Sequence, residues 1–182
     1  MKLLMLIVDN FEDTEAIGTL DVLKRGNIEV DLVSLMGRKN IITKTGLNLN
    51  LEKLVTDVSL EDYSGVIIPG GPGSFKIMPN IDAVNEIINY YANSNKLVAS
   101  ICAAPHLVGK LGYFKNRNYT VHPGFEGNII GGNYQRELGV VVDGNFITAK
   151  SMYYSLEFGF SIYEYFFGKE KTANLRKSCM GE

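Results

Sequence analysis

The sequence predicts an α/β domain, in which a mainly parallel sheet is covered on both sides by helices, with a small β-hairpin as an appendage. Two observations carry this. Apolar β-type runs alternate with stretches of helical periodicity from the first residues onward. The runs "GVIIPGG" (65–71) and "KLVASI" (96–101) are also continuously apolar, as parallel strands buried on both faces are.

The elements follow in order. "KLLMLIV" (2–8) is a buried first strand, and 13–26 is a helix with apolar positions at Ile17, Leu20 and Leu23. "IEVDLVSL" (28–35) is a second strand. Residues 37–62 are less regular, although "LNLNL" alternates like an exposed strand or hairpin arm. Val84, Ile87, Ile88 and Tyr91 give 81–95 helical spacing, and "PHLVGKLG" is a helix stopped by Gly112. "YTVH" reads as a short strand, and "GVVVDGNFITA" as two strands turning at Asp143-Gly144. Residues 154–168 form an amphipathic helix, and a polar tail runs on from about 169.

The 182 residues suit one domain spanning the chain, 1–182. A net charge of −2 without basic blocks gives no footprint for nucleic acid, and no apolar run approaches the ~18 residues that cross a bilayer. The start "MKLLMLIVD" fits a strand better than a secretory leader, because Asp9 and "NFEDTE" follow where a small-residue cleavage site belongs. With only Cys102 and Cys179, free thiols in a reducing cytoplasm are expected.

Chemistry concentrates at Cys102, where a buried strand meets a turn of small residues that opens a helix. This resembles a nucleophile elbow, in which a sharp turn exposes the side chain and the next backbone N–H, here of Ala103, points at the same spot. A free Cys at a strand end also suits a small core side chain, so the corner alone leaves both uses open. "PGGPGS" (69–74) ends a second strand at the same sheet edge; it lacks the Gly-Lys-Ser/Thr of a phosphate loop and instead brings a bare amide, that of Gly71, toward a substrate oxygen. Only two histidines are available as bases, His122 after "TV" and His106 four residues beyond the thiol. Glu15 stands above the same edge, where an acid in the first turn of a helix also has a plain dipole-compensating use.

With these pieces in hand, the chain resembles the DJ-one/ThiJ/PfpI superfamily, in the branch that contains the parkinsonism-associated protein and its bacterial relatives. The resemblance runs from "LLMLIVDNFEDTEAIGTLDVLKRGNIEV" through "VIIPGG", "ASICAAPHLVG", "VHPGFE" and "GGNY" to the last helix. It implies a flavodoxin-like three-layer α/β/α sandwich and a homodimer. It also implies Cys102 as nucleophile, Glu15 as the acid beside it, His122 as the nearby histidine, Gly71 and Ala103 as donors around the thiol, and Asp21 and Arg25 as first-helix residues near the dimer interface. No cofactor or metal is implied. The stretch "AKSMYY" departs from the family's Gly-Pro-containing turn, so the wall near Lys150 and Ser151 is expected to differ. Ala103 stands where the protease-like branch has His, which speaks against peptidase activity.

An ordinary thiol is only about 3% ionised at pH 7. A Cys102 pKa below about 6.5 is therefore expected, with a protonated Glu15 donating to the sulfur, since two adjacent negative charges would oppose each other. The implied function is a glutathione-independent glyoxalase or deglycase acting on small reactive carbonyls. The alternative is a redox sensor or chaperone answering to Cys102 oxidation. A cysteine amidohydrolase fits less well, because "HPGFE" spaces its acid differently from a His-x-Glu partner.

Overall fold

A computed structural model describes the whole chain, residues 1–182. β1 (Lys2–Ile7) alternates its side chains between two cores, and this alternation sets the layers. Leu3, Met5 and Ile7 face one core with Ala16, Val22 and Leu23 of α1 (Asp13–Arg25), while Leu4, Leu6 and the following Val8 face the other. Both faces are dry, which is why the strand reads as an unbroken apolar run. β2 (Glu29–Ser34) pairs with β1 in parallel.

The stretch whose topology the sequence left open resolves into two parts. β3 (Asn40–Ile42) and β4 (Asn48–Asn50) form a separate antiparallel hairpin, and β5 (Lys53–Leu54) joins the edge of the main sheet beside β2. β6 (Gly65–Ile68), the short helix α2 (Pro72–Lys76) and α3 (Asp82–Asn93) follow, the last burying the expected Val84, Ile87, Ile88 and Tyr91. β7 (Leu97–Ile101) leads into α4 (Pro105–Gly109), then into the two-residue strands β8 (Asn118–Tyr119) and β9 (Asn133–Tyr134). β10 (Val140–Asp143), β11 (Phe146–Ala149) and α5 (Ser155–Met180) complete the chain.

The seven-stranded sheet has the order β10-β11-β7-β6-β1-β2-β5, parallel except for β10. α1 and α5 cover one face, α3 and α4 the other, giving the expected three-layer sandwich. No helix is long and apolar enough to cross a membrane.

Four readings change. The β10–β11 hairpin is no appendage, since β11 pairs in parallel with β7 and extends the main sheet. "YTVH" is strand only at Tyr119, because β9 is two residues long and gives no further partner. Ile17 points outward, 44% exposed, and α1 instead buries Glu15, Ala16, Thr19, Val22 and Leu23. The residues beyond 169 are helical rather than a loose tail. A break at Gly168 (φ +79°) turns the chain, and the second half of α5 returns over the first. Arg176 grips Glu157 with two hydrogen bonds of 2.5 and 2.7 Å and lies over Phe160, contacts that a straight helix, rising about 28 Å over those 19 residues, forbids.

Candidate active site

Cys102 follows β7 directly, at the carboxyl edge of the sheet where open α/β folds bind ligands. Its φ of +63° lies in the left-handed region that β-carbon sterics disfavour, so the elbow is a strained backbone held by its surroundings. Two hydrogen bonds hold it: the Cys102 N–H donates to the Ala149 carbonyl at 2.8 Å, and the His122 N–H donates to the Cys102 carbonyl at 2.8 Å. The second bond brings His122 beside the thiol from a distant loop. The expected residues Cys102, Ala103, Gly71 and His122 all line one cleft of about 270 Å³.

Glu15 is sealed behind the sulfur at 1% exposure, and its Oε2 accepts the Gly70 N–H at 2.8 Å. Gly70 is a residue that the sequence reading passed over. A β-carbon on it would lie 2.6 Å from both the Cys102 Cβ and the Glu15 Oε2, so glycine is what lets acid and thiol meet. Gly71 is fixed for a different reason: at φ +84°, with a virtual β-carbon 2.5 Å from the Glu12 nitrogen, it lets "PGGPGS" press against the loop before α1. The backbone N–H groups of Gly71 and Ala103 face the sulfur.

Cys102 and Glu15 titrate as a pair. Burial raises Glu15 to about 7, against hydrogen bonds from Cys102 and the Gly70 amide. Burial, then the neighbouring carboxylate, push Cys102 up to about 12, while the Gly71 and Ala103 amides pull it down. The expectation of a low-pKa thiol is thus not met while the charge sits on Glu15, because desolvation costs the thiolate more than two amides return. Burial thus holds both protons of the pair above their ordinary ranges.

The two histidines differ. Nδ1–H of His122 donates to the Pro123 carbonyl at 3.0 Å, leaving Nε2 bare on an exposed ring at the cleft. His106 is buried and its Nδ1–H donates to the Ala103 carbonyl at 2.7 Å, while burial lowers its pKa; it braces the elbow as a neutral ring.

Other site expectations fall elsewhere. Asp21 and Arg25 pair with each other at 2.9 Å on the outer face of α1, bordering a separate groove with Leu156, Phe160 and Cys179. Lys150 and Ser151 do not line the cleft, so the "AKSMYY" departure leaves its wall untouched. Both cysteines are free, and no group of three or more His, Cys, Asp or Glu is arranged to hold a metal ion.

Lys44 and Glu12 also went unnoticed in the sequence. The β3–β4 hairpin folds over the loop before α1 through Asn10 N–H to the Ile42 carbonyl (2.8 Å) and Lys44 N–H to the Phe11 carbonyl (3.0 Å). This delivers the Lys44 ammonium to the cleft, 2.6 Å from the buried Glu12 carboxylate. Nothing local in "ITKTG" announces it; the signal is a tertiary crossing.

Comparison with known proteins agrees with this architecture. The profile of the DJ-1/PfpI family matches residues 1–165. A protein of Methanocaldococcus jannaschii without an assigned role is 34% identical over 88% of this chain and 80% of its own length. A protein of Pyrococcus abyssi named as a deglycase is 32% identical over 82% of this chain and 90% of its own. The crystal structure of Drosophila melanogaster DJ-1beta superposes with a TM-score of 0.91 at 27% identity, covering 98% of this chain and 97% of that one.

Proposed function

The chain belongs to the DJ-1/PfpI family, and from that premise we propose that it converts small 2-oxoaldehydes to 2-hydroxy acids, or removes them from early adducts, through covalent attack by Cys102. The observation that carries this reading is the strained Cys102 corner, with two backbone amides on the sulfur and a sealed acid behind it. The deglycase name of the Pyrococcus relative supports it.

The reactive form is the tautomer of the singly ionised pair in which Glu15 keeps the proton and the sulfur the charge. The thiolate adds to the aldehyde carbon, forming the C–S bond, and the carbonyl electron pair becomes an oxyanion on the Gly71 and Ala103 N–H groups. His122, through its bare Nε2, takes the proton from the former aldehyde carbon and returns it to the neighbouring carbon. That transfer oxidises the first carbon to a thioester and reduces the second to an alcohol. Water then cleaves the thioester, releasing the hydroxy acid and restoring the thiol. Glu15, out of reach of the cleft, acts on the sulfur alone.

The protein is further proposed to work as a homodimer in a reducing cytoplasm, pairing through the α1–α5 face where Ile17 and Leu156 stand exposed. Lactate formed from methylglyoxal, compared with a Cys102→Ser control, tests the activity. No excess over the control removes the enzyme reading and leaves the redox-sensor alternative.

A further inference from the structure

The cleft has two unlike kinds of lining. Cys102 stands in it with Gly71 and Ala103, and so do the rings of Phe75 and Phe125. These rings come from separate elements, α2 and the loop after His122, and meet at 5.1 Å with their planes inclined by 52°. Phe125 is held in place by two further rings, His106 at 5.8 Å and His122 at 6.1 Å. Phe75 is 37% exposed, a large apolar side chain left open in the cleft that Cys102 also lines. An exposed apolar surface of this kind is informative where a lone surface leucine is not.

Charge points the same way. Lys44 is the only cation lining the cleft, and Glu12 engages it at 2.6 Å. An anionic substituent therefore meets a cation whose charge a buried carboxylate already offsets. A three-carbon aldehyde on the sulfur also fills only a fraction of the ~270 Å³, leaving the aromatic wall wet.

We infer that the cleft selects 2-oxoaldehydes bearing an aryl substituent, with Phe75 and Phe125 as the specificity-determining residues. This rests on the proposed carbonyl chemistry of the same site. The aldehyde carbon meets the sulfur, and the ring slots into the angle between the two phenylalanines, where offset or edge contacts between rings are favourable.

The test separates the preference from the activity. Alkylation of Cys102 by phenacyl bromide and by bromoacetone forms the C–S bond as bromide leaves, and requires no turnover. The rates are read on the Cys102 peptide by mass spectrometry, and each is divided by its rate with free cysteine. The ratio of the two cancels any general change in thiol reactivity. The wild type is expected to favour the aryl reagent about tenfold, the scale on which apolar pockets discriminate. Phe75→Ala and Phe125→Ala bring the ratio within about twofold of unity, whereas Phe75→Tyr, which keeps the ring, retains it. A wild-type ratio near unity, or equal loss in Phe75→Ala and Phe75→Tyr, overturns the inference. In parallel, phenylglyoxal and methylglyoxal are assayed for mandelate and lactate. Absence of both products removes the proposed enzyme function, while the alkylation ratio still decides the aryl preference.

Discussion

Adding one methyl group at Gly70 separates the acid from the thiol without touching either. The Ala β-carbon of Gly70→Ala would sit 2.6 Å from the Cys102 Cβ, 2.6 Å from the Glu15 Oε2 and 2.9 Å from the Ile101 carbonyl oxygen. Ordinary carbon contacts are about 3.5–4.0 Å, so neighbours on opposite sides must each retreat by roughly 1 Å. Overpacking of this kind costs about 1–3 kcal/mol, which for a chain of this length lowers Tm by a few to about 10 °C. A misplacement of about 1 Å at a reacting group can cost 100-fold in rate. The expected result is thus a moderate fall in Tm with a 10- to 100-fold fall in kcat/KM on the 2-oxoaldehyde. Gly112→Ala is the control: its φ of +85° strains the backbone, but nothing lies within 4 Å of the new carbon, so it loses about 1 kcal/mol of stability and little activity. Thermal melts and steady-state rates on both variants make the comparison. A Gly70→Ala protein that melts like the wild type and turns over within twofold of it would refute the packing argument.

Two further predictions concern stability and assembly. Because the folded chain holds the Glu15 proton to about 7, above the ordinary 4.5, it binds more protons than the unfolded chain between those values. Stability therefore falls by about 3 kcal/mol as pH rises from 4.5 to 7, at about 1.4 kcal/mol per pH unit, and urea midpoints at pH 5 and 8 should converge in Glu15→Gln. Light scattering should give twice the chain mass for the wild type and a monomer for Leu156→Asp, since that residue stands 55% exposed on the α1–α5 face.

What the sequence made legible, and what it did not, divides by range. The strand runs, the helix 81–95 and the corner at Cys102 are written in local periodicity and turn chemistry, so they could be read directly. Glu15 and Cys102 lie far apart in the chain, but both sit just past strands whose parallel pairing carries them to one edge. Lys44 reaches the site only because a hairpin folds across the start of α1, a pairing that no run of residues in 37–62 encodes on its own. Gly70 escaped notice because its partners are side chains from two other elements. The return of α5 depends on one glycine and on Leu175, Arg176 and Phe160 meeting across it, so a polar composition beyond 169 concealed a packed helix.

Thiolate absorbance near 240 nm, titrated in the Cys102-containing wild type and in Glu15→Gln, bears most directly on where the pair keeps its single charge. The account predicts a thiolate signal that grows in well below about 12, the value that burial and a charged Glu15 impose on the thiol, and that moves to higher pH when the amide replaces the proton-sharing acid. A sulfur that stays dark until about 12, and ionises earlier in the variant, would mean that the charge rests on the carboxylate and that the proposed nucleophile does not form.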